Sequence, residues 1–323
     1  MKANKILSIL SFAFFTLILF NFETCPTGSS GGSNEIISIP NLGSNSNFIK
    51  PSWAINKAGN IQFGINSTSP LIYNRSTGLD ANLQLYYYNS IYDGEHNPKV
   101  CYKIYSIASV EPDSGTFEAN PPLYINGSLQ SVQNILGNIK ISLPAGLSTV
   151  PASITLTIDY NITDVYTKIE IPFILTNSQS QNQPVYFTSS PVIPSSSYVQ
   201  IKGDNGLLSF ALQIKDAAGC FSGIDDPDKK IIKIEEPTLK IVAGKNIITV
   251  RNGQNGFSCS PIGNVKIQNA TLNCQIDTNS LVSAYPTIRE MVNSKTGALA
   301  YIDFTLSYTC RSVYQTSIPI KVQ

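Results

Sequence analysis

Leu-Thr-Ile-Asp-Tyr at residues 156–160 is matched by Phe-Thr-Leu-Ser-Tyr at residues 304–308. The match continues downstream through the dipeptides Val165-Tyr166, Ile171-Pro172, Val313-Tyr314 and Ile318-Pro319. Apolar and polar residues alternate in both segments, and this period of two is typical of a β-strand with one buried face. The alternation resumes after residues 161–164, which contain turn-forming residues, so the first segment is predicted to form a hairpin.

Two further pairs of segments repeat in the same order along the chain. Residues 137–141 (Gly-Asn-Ile-Lys-Ile) resemble residues 263–267 (Gly-Asn-Val-Lys-Ile), and Glu111-Pro112 resembles Glu236-Pro237. Repeats this far apart indicate duplication of a whole domain. Many short strands separated by turn residues then predict an all-β fold with two tandem, internally duplicated β-sandwiches, immunoglobulin-like or pilin-like.

The predicted boundaries follow composition. Residues 1–24 form a signal peptide, 25–35 a flexible Gly/Ser tether, 36–176 the first copy, 177–198 a polar linker with prolines, and 199–323 the second copy. The second copy also carries an insertion in which residues 286–294 are predicted to form a short helix, stopped by Gly297.

Charge excludes one class of partner. Charged residues make up 13% of the 323 residues, about half the usual ~25%, and the formal net charge is +1. A protein that binds nucleic acid through its phosphates needs a basic surface, so no nucleic-acid partner is expected.

The N-terminus predicts export. Lys2 and Lys5 precede an apolar run at residues 6–20, which has the length of a signal-peptide core and is short for a membrane span. Cys25 follows this run and is the first residue of the tether, so it is a candidate lipidation site that would anchor the protein at the cell surface. Free secretion and an uncleaved membrane anchor remain the alternatives.

Cysteines in the second copy predict disulfides, since exported proteins keep their thiols oxidised. Four are present and allow three pairings, between which the sequence does not choose. They are Cys220, Cys259, Cys274 and Cys310.

A tyrosine-rich insertion in the first copy is the candidate ligand-binding surface. Tyrosine rings can stack on sugars or form protein interfaces. The alternative is that alternate tyrosines fill the core while the others cover the sheet. The candidates are Tyr86, Tyr87, Tyr88 and Tyr92.

Closely spaced carboxylates at Asp225, Asp226 and Asp228 are a candidate calcium site, with an ordinary turn as the alternative. No other cofactor is expected. The chain has no catalytic motif and a single histidine, His96, so we expect that it is not an enzyme.

These observations favour a non-enzymatic exported surface protein, either of the adhesion or pilus type or a structural subunit of the envelope. Its predicted partners are other surface subunits, paired through an edge strand at residues 318–322, or glycans. The alternative function is a secreted carbohydrate-binding protein or an accessory module of an exported hydrolase.

Overall fold

The computed structural model describes residues 48–67, 70–125, 128–177, 180–294 and 296–323, and most of them form β-strands. The all-β class is therefore confirmed. The predicted signal peptide, the tether and Cys25 lie outside the described residues. Everything described belongs to one compact unit. No helix in the described part of the chain is long and apolar enough to cross a membrane.

The strands of the first half of the chain are β1 (Ile61–Ser67), β2 (Leu71–Tyr73), β3 (Leu79–Asn89), β4 (Lys99–Ser106), β5 (Ser109–Glu111), β6 (Ser114–Glu118), β7 (Leu123–Ile125), β8 (Ser128–Gln130), β9 (Gln133–Leu143) and β10 (Ser153–Leu175). Those of the second half are β11 (Gln181–Pro184), β12 (Tyr186–Phe187), β13 (Val192–Pro194), β14 (Tyr198–Asp204), β15 (Leu207–Asp216), β16 (Ile231–Ile234), β17 (Thr238–Ala243), β18 (Asn246–Arg251), β19 (Phe257–Ser260), β20 (Gly263–Lys266), β21 (Thr271–Asp277) and β22 (Ala298–Val322).

Helices are few and short among the residues that the structure describes. They are α1 (Thr278–Ala284), α2 (Arg289–Asn293) and three 3-10 turns at Pro227–Lys229, Ile267–Asn269 and Pro286–Ile288. The helix predicted at residues 286–294 is confirmed as the last of these turns followed by α2. Helix α1 was not predicted, although Asp277 caps it by accepting hydrogen bonds from the N–H groups of Asn279 and Ser280.

A large sheet runs through both halves of the chain. Its central order is β18-β17-β22-β10-β4-β6, and β2, β12, β16 and β20 pair at its margins. A four-stranded sheet has the order β1-β3-β9-β5, and a six-stranded sheet contains β11-β14-β15-β21-β19 with β13 beside β15. The remaining pair, β7 and β8, forms a separate hairpin.

The two segments with matching sequences are the longest strands, β10 and β22, and they lie side by side. They pair antiparallel from Ser153 opposite Pro319 to Leu175 opposite Ala298, with one irregularity after Ile162. The predicted hairpin in the first segment is therefore wrong. Residues 161–164 bulge without turning back, because Asn161 and Thr163 continue to pair with β4.

The register of this pair is symmetrical. Tyr160 lies opposite Ser312, and Tyr308, its counterpart in the sequence match, lies opposite Val165. Further out, Ile154 lies opposite Ile318, while Ile171 lies opposite Ile302. Exchanging the two strands therefore maps these pairs onto each other, which defines a local two-fold relation centred near the bulge. It places Val165 on Ser312, one residue away from the sequence match of Val165 with Val313.

Each of the two smaller sheets contacts one tyrosine of the β10–β22 pair. In the first half, Tyr160 packs on Phe63 with ring centroids 4.8 Å apart, and its hydroxyl donates to the Ile61 carbonyl over 2.9 Å. In the second half, the Val192 N–H donates to the Tyr308 hydroxyl over 3.1 Å. The symmetry-related tyrosines thus bind the first residues of β1 and β13.

The structure differs from the predicted division into two sandwiches joined by a linker. Residues 177–198 contain β11, β12 and β13, with buried residues such as Val185 and Phe187, because they extend the sheets of the molecule. The matched glycines also occupy different sheets, since Gly137 lies in β9 beside β3 and Gly263 starts β20 beside β16. The large sheet is consequently shared by both halves.

Candidate functional site

The four candidate tyrosines have different environments. Tyr87 is a core residue: it is 2% exposed, its ring packs on Phe117 with centroids 4.5 Å apart, and its hydroxyl accepts from the Asn120 N–H. Burial raises the pKa of this hydroxyl. Tyr87 therefore matches the alternative in which alternate tyrosines fill the core.

Tyr86 lies on the opposite face of β3 and covers a glycine. It pairs across the strands with Gly64, where an added Cβ atom would approach the Tyr86 ring to 2.3 Å. Tyr88 contacts Tyr86 edge-on, with centroids 5.6 Å apart. Desolvation raises the pKa of Tyr86, and the charges that Tyr88 and Tyr314 would carry add to the shift. Tyr86 thus lies within electrostatic range of Tyr314 on the last strand, β22.

Tyr92 contributes to a different surface, next to the hairpin of β7 and β8. Its ring is nearly parallel to that of Tyr124, with an interplanar angle of 10° and centroids 6.2 Å apart. Leu123, Tyr124 and Ile125 form β7 and are 52%, 42% and 50% exposed. We call these three residues with Tyr92 the hairpin surface.

The hairpin surface was not predicted from the sequence, because residues 123–125 lie outside the tyrosine-rich run. One signal was available: Leu-Tyr-Ile is a consecutive apolar run without alternation, next to the turn-forming residues Asn126 and Gly127. Such a run in a short hairpin leaves at least one apolar face without a core.

The three carboxylates of the candidate calcium site do not converge. Asp226 caps the 3-10 turn by accepting from the Asp228 N–H over 3.0 Å, and Asp228 pairs with Lys266 at 2.8 Å. Among the described residues, no group of three acidic, histidine or cysteine side chains is placed to hold a metal ion. Asp226 and Asp228 therefore belong to a capped turn, the alternative given by the sequence, and calcium binding by Asp225, Asp226 and Asp228 stays a prediction.

His96 is held by a neighbouring carboxylate. Its Nδ1 lies 2.7 Å from an Asp93 oxygen, and Asp93 also accepts the backbone N–H groups of Glu95 and His96. The imidazole ring packs on Tyr166 at 4.6 Å. Asp93, which is 3% exposed, thus closes the loop of residues 93–96.

Two disulfides are confirmed among the four cysteines of the second half. Cys220 is bonded to Cys310, which lies opposite Ile162 at the centre of the symmetrical pair. Cys259 is bonded to Cys274 across β19 and β21. Cys101 is also disulfide-bonded, so none of the described cysteines is a free thiol.

The predicted edge strand at the end of the chain is only partly free. Strand β22 pairs with β10 along one side, and its residues Ile320, Lys321 and Val322 pair in parallel with β2. From Val313 to Pro319, no described strand pairs with the other side of β22. Here we call this side the open edge.

Comparisons with known proteins identify no family. No protein-family model matches the chain, and no curated protein matches it. Among solved structures, the N-terminal domain of the adhesin Sgo0707 of Streptococcus gordonii aligns with 83% of this chain and 91% of its own, with 7% sequence identity and a TM-score of 0.13. A TM-score this low does not indicate a shared fold, so the similarity carries no argument.

Proposed function

We propose that this chain is a non-enzymatic, exported surface protein of the adhesion or pilus type, or a structural subunit of the envelope, that binds a protein partner through the hairpin surface. The observation that carries the proposal is the exposure of three consecutive apolar residues, Leu123, Tyr124 and Ile125, on a hairpin outside the main sheets.

Physical reasoning supports a binding role for this hairpin. An isolated two-stranded hairpin is at best marginally stable in water. Consecutive side chains of a strand point to opposite faces, so Leu123 and Ile125 share one face of β7 and Tyr124 lies on the other. Exposing large apolar side chains on both faces adds a cost that soluble proteins avoid unless the hairpin contacts something. The Asn89 amide holds the segment leading into the hairpin by donating to the Asn120 carbonyl, so the surface is presented from a fixed base.

Export is supported by the cysteines and by the N-terminal sequence. Disulfides such as Cys220–Cys310 persist in oxidising compartments outside the cytoplasm. The apolar run at residues 6–20 has the pattern of an export signal. A lipid on Cys25 can serve as the anchor only if Cys101 pairs with a cysteine of another chain, because the other four cysteines pair with each other and an acylated sulfur cannot join a disulfide. In that case Cys25→Ser should move the protein from the detergent fraction to the aqueous fraction, whereas a soluble wild-type protein would indicate free secretion.

The second candidate function is carbohydrate binding, favoured by the near-parallel rings of Tyr92 and Tyr124. Parallel aromatic rings offer flat apolar faces on which sugar rings can stack. In this reading the tyrosines carry the binding, and Leu123 and Ile125 are secondary.

We also propose that the two halves arose by duplication. The support is the sequence match of residues 156–160 with 304–308, together with the symmetrical register of β10 and β22. The matched Ile-Pro dipeptides agree with this, since Pro172 and Pro319 both lie near the C-terminal ends of the two long strands.

The test of function compares the adherence of cells that produce the wild-type protein or one of two double variants. Leu123→Ser/Ile125→Ser removes the apolar hairpin residues, and Leu207→Ser/Ile231→Ser is the matched control, because those residues are 43% and 42% exposed elsewhere. Protease treatment of intact cells should remove all forms equally. Only the hairpin variant should lose adherence to protein-coated surfaces.

Three results would separate the alternatives. Loss of glycan-array binding in Tyr124→Ala, with Leu123→Ser/Ile125→Ser unaffected, would favour the carbohydrate reading. Equal adherence of both double variants would contradict a role for the hairpin surface. Protection of the wild-type protein from protease on intact cells would contradict surface display.

A further inference from the structure

The open edge of β22 exposes unpaired backbone groups. The Ile320 N–H donates to the Ala152 carbonyl next to β10, so even-numbered residues here face β10. Odd-numbered residues face away, as shown by the Arg311 N–H, which donates to the Cys220 carbonyl. Between Arg311 and β2, the outward groups of Val313, Gln315 and Ser317 therefore lack a described backbone partner. Pro319, which has no N–H, faces the same side.

The symmetry-related edge of β10 is filled. By the register of the pair, Gln315 corresponds to Lys168, and Ser317 corresponds to Glu170. Lys168 accepts the Thr188 N–H over 3.2 Å, and Glu170 pairs with Tyr186 of β12. Strand β12 thus shows, within the same molecule, that a short added strand can pair with the equivalent edge of β10.

The core beneath the open edge is also less covered. Ile169 and Ile171 of β10 are 1% and 0% exposed, and Phe187 lies opposite Ile169. Their counterparts Thr316 and Ile318 on β22 are only half-buried. A side chain in the place of Phe187 is what this part of the core lacks.

We propose that the open edge binds an extended, uncharged segment of a partner polypeptide, added antiparallel to residues 313–319 of β22 with an apolar side chain opposite Thr316. The segment would complete the large sheet as β12 does beside β10. This proposal is independent of the hairpin surface, which lies on β7 and β8.

Charge supports a neutral partner strand. Residues 312–320 contain no Lys, Arg, Asp or Glu, and Arg311 and Lys321 flank them. Exposed edges of monomeric proteins are usually protected by charged residues, above all lysine. Here only Pro319 limits pairing, and it lies at the end of the edge.

Geometry favours a flexible segment over the β22 strand of a second copy. The open edge is bounded by the chain at Cys220 on one side and by β2 on the other. A second β22 would continue past both ends and meet these elements. A short segment that can turn away at each end fits between them, and addition of such a segment is a known mode of peptide recognition.

The test uses a labelled peptide with the sequence of residues 183–189, Gln-Pro-Val-Tyr-Phe-Thr-Ser, which contains β12. Fluorescence anisotropy with the full chain should show saturable binding. Gln315→Pro removes an outward N–H without touching the pairing with β10, and should weaken binding about tenfold or more. Gln315→Ala keeps the N–H and is the matched control, expected to bind like the wild type.

Hydrogen exchange provides a readout that does not depend on a variant. The Gln315 and Ser317 amides should exchange quickly in the free protein and slow down when the peptide binds. Protection of these amides in the free protein would overturn the proposal, because the edge would already be filled. Absence of peptide binding, or equal binding by Gln315→Pro, would overturn it as well.

Discussion

Glycine and tyrosine face each other across neighbouring strands at two places in the first half of the chain. Gly64 lies opposite Tyr86, and Gly115 lies opposite Tyr102. An added Cβ atom would approach the tyrosine to 2.3 Å at Gly64 and to 2.6 Å at Gly115. The rings therefore cover bare backbone, which compensates for the weakness of glycine in a strand.

Tyr86→Ala should accordingly destabilise the protein by roughly 1 kcal/mol, since it uncovers Gly64 and removes a cross-strand contact. Tyr88→Ala is the control, because Tyr88 lies on the same face of β3 but opposite Gln62. Urea unfolding would measure both. An equal or larger loss for Tyr88→Ala would contradict the covering role of Tyr86.

Tyr308 should make stability depend on alkaline pH. Burial raises the pKa of its hydroxyl from 10.0 to about 12, although its hydrogen bonds with Ser190, Thr167 and Val192 act in the opposite direction. The folded state thus holds the proton more tightly than the unfolded state. The contribution of this difference in pKa to the free energy of unfolding is fully present below pH ~10 and is lost as the pH rises towards ~12.

Tyr308→Phe should remove that part of the pH dependence and cost about 1–3 kcal/mol, because the buried Val192 N–H loses its acceptor. Unfolding measured between pH 8 and 11 would compare the variant with the wild type. An unchanged alkaline slope would show that other groups cause it.

At the scale of elements, the two disulfides should stabilise to different degrees. Cys220–Cys310 spans 90 residues and Cys259–Cys274 spans 15. Loop-closure entropy then predicts about 4.6 kcal/mol for the first and about 3 kcal/mol for the second. Thermal unfolding of the two double Cys→Ala variants should rank them in this order, and the reverse order would point to strain or residual structure.

Strands were predictable where alternation was strong, as in β10 and β22, but their partners were not. Residues 161–164 resemble a turn, yet pairing with β4 continues through Thr163 and pairing with β22 continues through Ile162, so the strand bulges at Asp164 without turning back. Likewise, the polar composition of residues 177–198 concealed β12, because a two-residue strand has too few positions to show a period. Pairing between distant segments decides such cases.

The candidate site shows the same limit. Tyr92 was predicted as a binding residue, but its position beside Tyr124 was not, since 32 positions separate them in the chain (124 − 92). It also grouped Tyr87 with Tyr86 and Tyr88, although alternation puts Tyr87 on the core face. The second interpretation of these tyrosines, in which every other ring is buried in the core, fits Tyr87.

At the scale of the molecule, the large sheet predicts that the halves depend on each other. Residues 48–176 and 180–323 each contribute one strand of the β10–β22 pair, so each alone would expose a long edge and part of the core. Expressed separately, they should unfold without cooperativity or aggregate, and co-expression should restore one complex. Two independent, cooperative thermal transitions for the isolated halves would contradict this.

If this chain is loaded mechanically at a cell surface, as proposed, the Cys220–Cys310 bond limits how far it can be extended. The disulfide carries the tension directly, so the 90 residues between the two cysteines are not stretched. Fully extended at ~3.4 Å per residue, this segment would be roughly 300 Å long. Under oxidising conditions the segment cannot extend, even when force separates β10 from β22. Reduction would release it, and the molecule would change from a short tether into a long one.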